Sequence, residues 1–367
     1  MPAAEKRTRV LIVDDSTFMR KVLEEIIRTD PRLEVVGQAK DGREAITMAQ
    51  TLQPDVITMD INMPRMDGLE ATQHIMTQNP RPILIVSSES RQGAASTLRA
   101  LELGAIDFVT KPSSGIDLDM RNVSDELLGK LRMAAKVRVV RTAALHDHPA
   151  GTEVKSQQPS LKETGNSEAR IPLVMIAAST GGPATLMRMM PQFPKDFAAA
   201  VVLVQHMPVT FTSQLSVQLT EVAAIRVKEA EANEALQAGT FYVCPGSHHL
   251  RISLTGRIKL DDGPRISGYR PCADVAFESA AAYGGANIVG VVLTGMGNDG
   301  AKGIQAVKGA RGRVLAQDEA TSVIFGMPAE AIRTGCVDQV LGIEEMFSAI
   351  DKYVEAISRL LQPIGSR

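Results

Sequence analysis

The sequence predicts an α/β protein made of two doubly wound units, each built on a mainly parallel sheet. Three observations carry this. Short apolar runs bounded by turn residues alternate with segments of helical period, and the series occurs twice. A polar stretch without aliphatic periodicity divides the two series. The 367 residues suffice for two ordinary domains, each able to bury its own core.

In the first series, residues 9–15 (RVLIVDD), 34–39 (EVVGQA), 55–60 (DVITMD), 83–88 (ILIVSS) and 105–110 (AIDFVT) read as five strands with helical patterns between them. That is a (βα)5 arrangement with a parallel sheet, expected over residues 1–140. Residues 141–170, rich in Ser, Thr, Gln and Glu, read as a flexible linker. Its H-x-H pair, His146 and His148, reads as two solvated side chains rather than a metal site. The second series spans 171–367, with buried-strand patterns at 172–179 (PLVMIAAS), 199–206 (AAVVLVQH), 287–295 (NIVGVVLTG) and 313–319 (RVLAQDE). Residues 238–263 look like short strands joined by turns, an antiparallel insert or edge.

Composition bounds the function. Forty Lys and Arg against 42 Asp and Glu leave a net charge of −2, without the basic stripe of a nucleic-acid protein. The charged start MPAAEKRTRV has no signal-peptide core, and no apolar run is long enough for a membrane span, so a soluble cytoplasmic protein without membrane insertion is expected. Cys244, Cys272 and Cys336 lack C-x-x-C spacing and read as small core fillers.

Polar residues gather where strands end. In the first series Asp14 and Asp15 end the first strand, Asp60 the third, Ser87 the fourth and Lys111 the fifth. Ligands of open parallel sheets bind at the carboxyl ends of strands, so these side chains are expected to share one crevice. Clustered carboxylates repel one another unless a cation joins them, and hard oxygen donors favour Mg²⁺. With a lysine, such a site suits phosphoryl transfer. VLIVDDS, MDINMPRMDG and DFVTKP resemble the receiver domain of response regulators. The resemblance implies Asp60 as phosphoacceptor, a histidine kinase as phosphodonor, and Mg²⁺ held by Asp15, Asp60 and the backbone carbonyl of Asn62. Asp14, Ser87 and Lys111 would complete the pocket, and Phe108 occupies the position of the family's aromatic switch.

In the second series a serine, a histidine and an aspartate fall just past strand ends: Ser179 in ASTGGP, His206 in VQHMP and Asp299 in LTGMGNDGA. A serine hydroxyl needs a base to act as a nucleophile at neutral pH, and the base needs an orienting group. His248 and His249, in the turn-rich insert, read as surface residues. Gly181 and Gly182 open a helix whose first amides have no internal partner and can bind an oxyanion, and Pro183 suits its first turn. Met187, Met189 and Met190 on that helix read as core. Two phosphate-loop readings fail, because neither Gly-Lys-Ser/Thr nor G-x-G-x-x-G is present. The turn departs from G-x-S-x-G at Ala177.

ASTGGP, VQHMP, LTGMGNDGA, YRPCADV and DEATSVIFGMP, behind a receiver-like segment and linker, resemble the chemotaxis protein-glutamate methylesterase family. The resemblance implies Ser179 as nucleophile, His206 as base, Asp299 as orienter and the Met296 amide as an oxyanion donor, with no cofactor in this half. The substrate would be glutamate methyl esters on cytoplasmic helices of chemoreceptors, with glutamine deamidation allowed. A receiver that covers the Ser179 face until Asp60 is phosphorylated follows as an expectation. A receiver with a catalytically silent docking or scaffold output stays open as the alternative.

Overall fold

Residues 7–88, 90–111, 117–137 and 171–361 are described by the structure, a computed structural model. The stretch expected as a linker, 141–170, lies outside the described residues.

Strands β1 (Thr8–Val13), β2 (Leu33–Ala39), β3 (Val56–Met59), β4 (Ile83–Ser87) and β5 (Asp107–Thr110) form a parallel sheet in the order β2-β1-β3-β4-β5. Helices α1 (Thr17–Arg28), α2 (Gly42–Leu52), α3 (Gly68–Gln78), α4 (Arg91–Glu102) and α5 (Asp117–Ala134) alternate with them. Both β3 and β4 are buried along their whole length, which is why their sequences are nearly continuous apolar runs rather than alternating ones. Ser16, Asp41, Asp67 and Ser90 accept the amides of Met19, Glu44, Glu70 and Gly93 and so start α1 to α4. Each such cap is worth about 1 kcal/mol, and each fixes how soon the chain turns after the preceding strand.

The second sheet has seven parallel strands in the order β14-β13-β12-β6-β7-β9-β8. They are β6 (Leu173–Ala178), β7 (Ala200–Gln205), β8 (Arg226–Glu229), β9 (Thr240–Val243), β12 (Ile288–Val292), β13 (Arg313–Gln317) and β14 (Gln339–Leu341). Between β9 and β12, β10 (His249–Ile252) and β11 (Ile258–Asp261) form an antiparallel hairpin. The stretch expected as an insert therefore divides. Thr240–Val243 is fully buried and lies parallel to β7 in the main sheet, and only the later part is antiparallel. The helices are α6 (Gly182–Met189), α7 (Val209–Val222), α8 (Ala273–Gly284), α9 (Ala301–Gly309), α10 (Met327–Arg333) and α11 (Ile343–Leu361). Met189 and Met190 are fully buried and Met187 packs beside them, as expected.

Each sheet has a point where strand order reverses, between β1 and β3 in the first and between β6 and β12 in the second. The two units share an apolar cluster, because α4 packs on α6 and α7. At its centre the rings of Phe108 and Phe211 stack with centroids 4.2 Å apart and planes 15° apart. Burying a ring of that size contributes about 1.5–3 kcal/mol. Among the described residues, no helix is long and apolar enough to cross a membrane.

Candidate functional site

The first switch point gathers Asp14, Asp15 and Asp60, whose ligand oxygens all lie within 4.8 Å of one another. Asp14 and Asp60 are buried and Asp15 is exposed. Lys111 Nζ stands 2.8 Å from Asp60 Oδ2 and 2.9 Å from Asp14 Oδ2. That lysine is the one cation paired with the buried Asp14 Oδ2, which has no further hydrogen-bond donor among the described residues. Burial holds the Asp60 carboxyl above its ordinary value; the Lys111 hydrogen bond and charge pull it down, and the Asp14 charge adds to the rise. Three carboxylates against one ammonium, with a buried oxygen unsatisfied, fit a hard divalent cation. Asn62 is exposed in the loop after β3. Ser87 does not turn toward Asp60: its hydroxyl donates to the Gly93 and Ser88 carbonyls at 3.3 and 3.4 Å.

Around the second switch point, Ser179 follows β6, His206 follows β7 and Asp299 lies in the turn after β12. His206 Nε2 is 2.7 Å from Asp299 Oδ2. Asp299 also accepts the Ala273 amide at 2.7 Å and the Asp274 amide at 2.9 Å, both from the first turn of α8, and the Gly300 amide at 3.0 Å. Burial alone would raise the Asp299 carboxyl, but the His206 hydrogen bond and charge and the α8 amides hold it below the ordinary carboxylate range. An ionised Asp299 accepts from Nε2, which leaves the lone pair on Nδ1. That Nδ1 is buried and without a hydrogen-bond partner among the described residues.

The corner that carries Ser179 is tied down from several sides. Its amide donates to the Thr294 carbonyl at 3.0 Å, and its carbonyl accepts the Gln205 side-chain amide at 2.9 Å. Thr294 Oγ1 donates to the Thr180 carbonyl at 2.9 Å, and the Thr294 amide donates to Gln317 at 2.8 Å. Gly181, the N-cap of α6, has φ of 80°, a left-handed value that a side chain resists. Any Cβ on Gly295 would lie 2.8 Å from Ser179 Cβ, so glycine there lets the β12 turn close on the Ser179 corner. Ala177 is fully buried inside β6, and the turn forms with alanine at that place. The Ser179 hydroxyl makes no hydrogen bond, and the amides of Thr180, Gly181 and Met296 donate to no partner, among the described residues.

Several site residues escaped the sequence reading. Gln205 and Gln317 end β7 and β13, and Thr294 follows β12 by two residues, polar side chains after apolar runs whose signal is present in VVLVQ, VLAQ and VVLT. Cys272 is more than a filler: its thiol donates to Asp299 Oδ1 at 3.2 Å, and burial, then the Asp299 charge, push it up to about 12. Cys244 is buried and Cys336 partly so. The expectation that His249 lies on the surface is corrected. It is 1% exposed, because β10 packs against α8, and its Nε2 bonds the Pro264 carbonyl at 3.0 Å. His248 is half-buried and bonds Ser247.

The first unit reaches this corner directly. Thr180 Oγ1 donates to Asp107 Oδ2, which Lys130 of α5 also approaches at 3.2 Å. Lys130 donates to the Phe108 carbonyl at 2.6 Å and lies 5.2 Å from the centre of the Phe108 ring. A Cβ on Gly129 would stand 3.5 Å from Met296 Cε, so the Met296 side chain abuts α5.

Comparison with known proteins bears on both crevices. Residues 174–350 match the CheB methylesterase family model, and residues 10–121 match the response regulator receiver domain. A protein-glutamate methylesterase/protein-glutamine glutaminase of Pyrococcus abyssi is 46% identical, covering 97% of this chain and 96% of its own length. One of the same name from Symbiobacterium thermophilum is 44% identical, over 95% and 98%. The crystal structure of the Thermotoga maritima CheB methylesterase catalytic domain is 39% identical, covers 50% of this chain and 98% of its own, and superposes with a TM-score of 0.48. With identity of this order along nearly the whole length, and a receiver domain ahead of the methylesterase domain, the chain belongs to the CheB methylesterase family.

Proposed function

We infer that this chain is a phosphorylation-regulated protein-glutamate methylesterase that hydrolyses glutamate methyl esters on the cytoplasmic helices of chemoreceptors. The relatives' names support deamidation of receptor glutamines by the same site. The reading divides the chain into a receiver at 1–140, a linker at 141–170 and a catalytic domain at 171–367, working in the cytoplasm. The observation that carries it is the second switch point: an ionised aspartate fixes one nitrogen of His206, the other has no partner among the described residues, and the His206 amide donates to the Ala178 carbonyl, one residue before Ser179, at 3.1 Å.

On this reading Ser179 Oγ attacks the ester carbonyl while His206 Nδ1 takes its proton. Asp299 stabilises the imidazolium, and the Thr180, Gly181 and Met296 amides are the donors open to the oxyanion. The imidazolium then gives its proton to departing methanol. Water, activated by the same nitrogen, hydrolyses the acyl-enzyme to a glutamate side chain. Positioned proton transfer contributes about 10²–10⁴-fold and each oxyanion donor about 10²–10³-fold. Deamidation differs only in releasing ammonia.

Control comes from the receiver, which takes a phosphoryl group on Asp60 from a histidine kinase. Bound Mg²⁺, held by Asp15, Asp60 and the Asn62 carbonyl, would neutralise charge on the transferring phosphoryl group. Lys111 would hold a phosphoryl oxygen. Ser87 would leave the Gly93 carbonyl to follow another, and Phe108 would follow Ser87 away from Phe211. The bond from Thr180 to Asp107 and the stack of Phe108 on Phe211 support a receiver that rests on the catalytic corner until then. A shift from 1% to 99% open requires about 5.5 kcal/mol of preference for the open state.

The test is methanol release from methylated receptor membranes, with and without a phosphoryl donor and Mg²⁺. The expected outcome is hydrolysis that rises with the donor, and a fragment lacking residues 1–140 that is active without it. A full chain that releases no methanol under either condition defeats the esterase reading. A fragment no more active than the full chain defeats autoinhibition alone.

A further inference from the structure

Tyr269 lies across the triad histidine, and neither the motif reading nor the family match assigns it a task. Its ring is stacked on His206, with centroids 4.5 Å apart and planes 19° apart. A short turn holds it there. Ile266 and Tyr269 exchange both backbone hydrogen bonds at 2.9 Å, and the residues between them, Ser267 and Gly268, have φ of 52° and 89°. Positive φ at both central positions is the mark of the tight two-residue hairpin turn whose twist matches that of its flanking residues. The base of this loop is anchored where buried His249 bonds the Pro264 carbonyl. The phenol end sits against Gly297, where any Cβ would collide with the hydroxyl, so the turn after β12 is glycine where the tyrosine crosses it.

We propose that Tyr269 is a positioning residue for the base: its stacked ring holds the plane of the His206 imidazole, and its π face stabilises the imidazolium formed when Ser179 is deprotonated. The physical need is specific. Asp299 holds His206 at one atom, Nε2, and a single hydrogen bond leaves the ring free to swing about it. A flat partner on the imidazole face removes that swing, so that Nδ1 keeps its direction with no hydrogen-bond partner among the described residues. The same face is the electron-rich side of the phenol, and it attracts a cation placed over it. The charged group bonded to the imidazole is the Asp299 carboxylate; the Cys272 thiol donates to that carboxylate, and the Asp274 carboxylate at the start of α8 accepts the Gly300 and Gly303 amides. Asp299 thus stabilises the cation from the ring edge, and Tyr269 does so from the ring face.

This inference rests on the triad reading, and the experiment separates the two. Turnover of methylated receptor is measured in the full chain with phosphoryl donor and Mg²⁺, for the parent, Tyr269→Leu, Tyr269→Phe and His206→Ala, with folding checked by circular dichroism. Tyr269→Leu is expected to lower kcat about tenfold with KM changed less than about twofold, whereas Tyr269→Phe keeps at least about half of the parent rate. The ring current of residue 269 should also shift the His206 Cε1 proton in the parent and in Tyr269→Phe, and not in Tyr269→Leu. Should Tyr269→Leu fail to fold, Tyr269→Gln takes its place in the same comparison. Equal turnover in Leu and parent overturns the proposal, as does a loss in Phe as large as in Leu. Full turnover in His206→Ala would instead overturn the triad itself.

Discussion

The two crevices sit at equivalent places in their sheets, at the point where strand order reverses, yet they differ in electrostatic completeness. In the receiver, three carboxylates face one lysine, a buried Asp14 oxygen has no donor but that lysine among the described residues, and the Ser87 hydroxyl donates to the Gly93 carbonyl. In the catalytic unit, a single carboxylate is saturated by an imidazole, three backbone amides and a thiol. A parallel sheet only delivers side chains to its carboxyl edge. Whether the result waits for a ligand or is ready to act depends on how the charges there are matched.

That contrast can be broken most sharply at the ready crevice. On the proposed triad, whose members would act as a unit, Ser179→Ala or His206→Ala should lower methanol release by about 10⁴-fold or more while the circular dichroism spectrum stays unchanged. Near-parent turnover in either variant would mean that the saturated aspartate serves stability and not chemistry. At the waiting crevice, chelation of Mg²⁺ with EDTA should stop phosphoryl uptake, followed as radiolabel on Asp60, while basal hydrolysis continues. A basal rate that fell with the chelator would show that the two crevices do not divide the work as described.

Smaller changes probe the contact between them. Asp107→Ala removes the acceptor of Thr180 and should raise basal hydrolysis about tenfold, the worth of one charge-assisted hydrogen bond. An unchanged basal rate would place the restraint in the Phe108 stack instead. The smallest effect is on pH dependence. Asp299 has its carboxyl held below the ordinary 3.8, so its contribution to stability is present above that value and is lost as pH falls through the lowered one. Thermal unfolding below about pH 4 should therefore fall less steeply in Asp299→Asn than in the parent; parallel curves would contradict the saturation of that carboxylate.

How much of this could be read from sequence follows from burial. Strands covered on both faces, such as Val56–Met59, Leu173–Ala178 and Ala200–Gln205, are nearly continuous apolar runs and announce themselves. Edge strands do not: Arg226–Glu229 and Gln339–Leu341 are short, partly exposed and polar enough to pass for loop. Likewise, Asp14, Asp60, Ser179 and Asp299 were legible because each follows an apolar strand. Tyr269, Cys272 and His249 were not, because each acts through a contact with a residue far away in the chain. The turn-rich setting of His249 suggested solvent, and only the packing of its hairpin on α8 buries it. The tie between Thr180 and Asp107 joins two units and has no local signature at all.

The ring stack between the two units also offers an optical handle. The chain contains no tryptophan, so indole emission from it is a dark background. Phe211→Trp would place a single indole on the ring of Phe108, in an apolar setting that ends when the rings part. Domain separation could then be timed by a colour shift, independently of methanol release, and a chain that opens without hydrolysing would be distinguished in one cuvette from a chain that never opens.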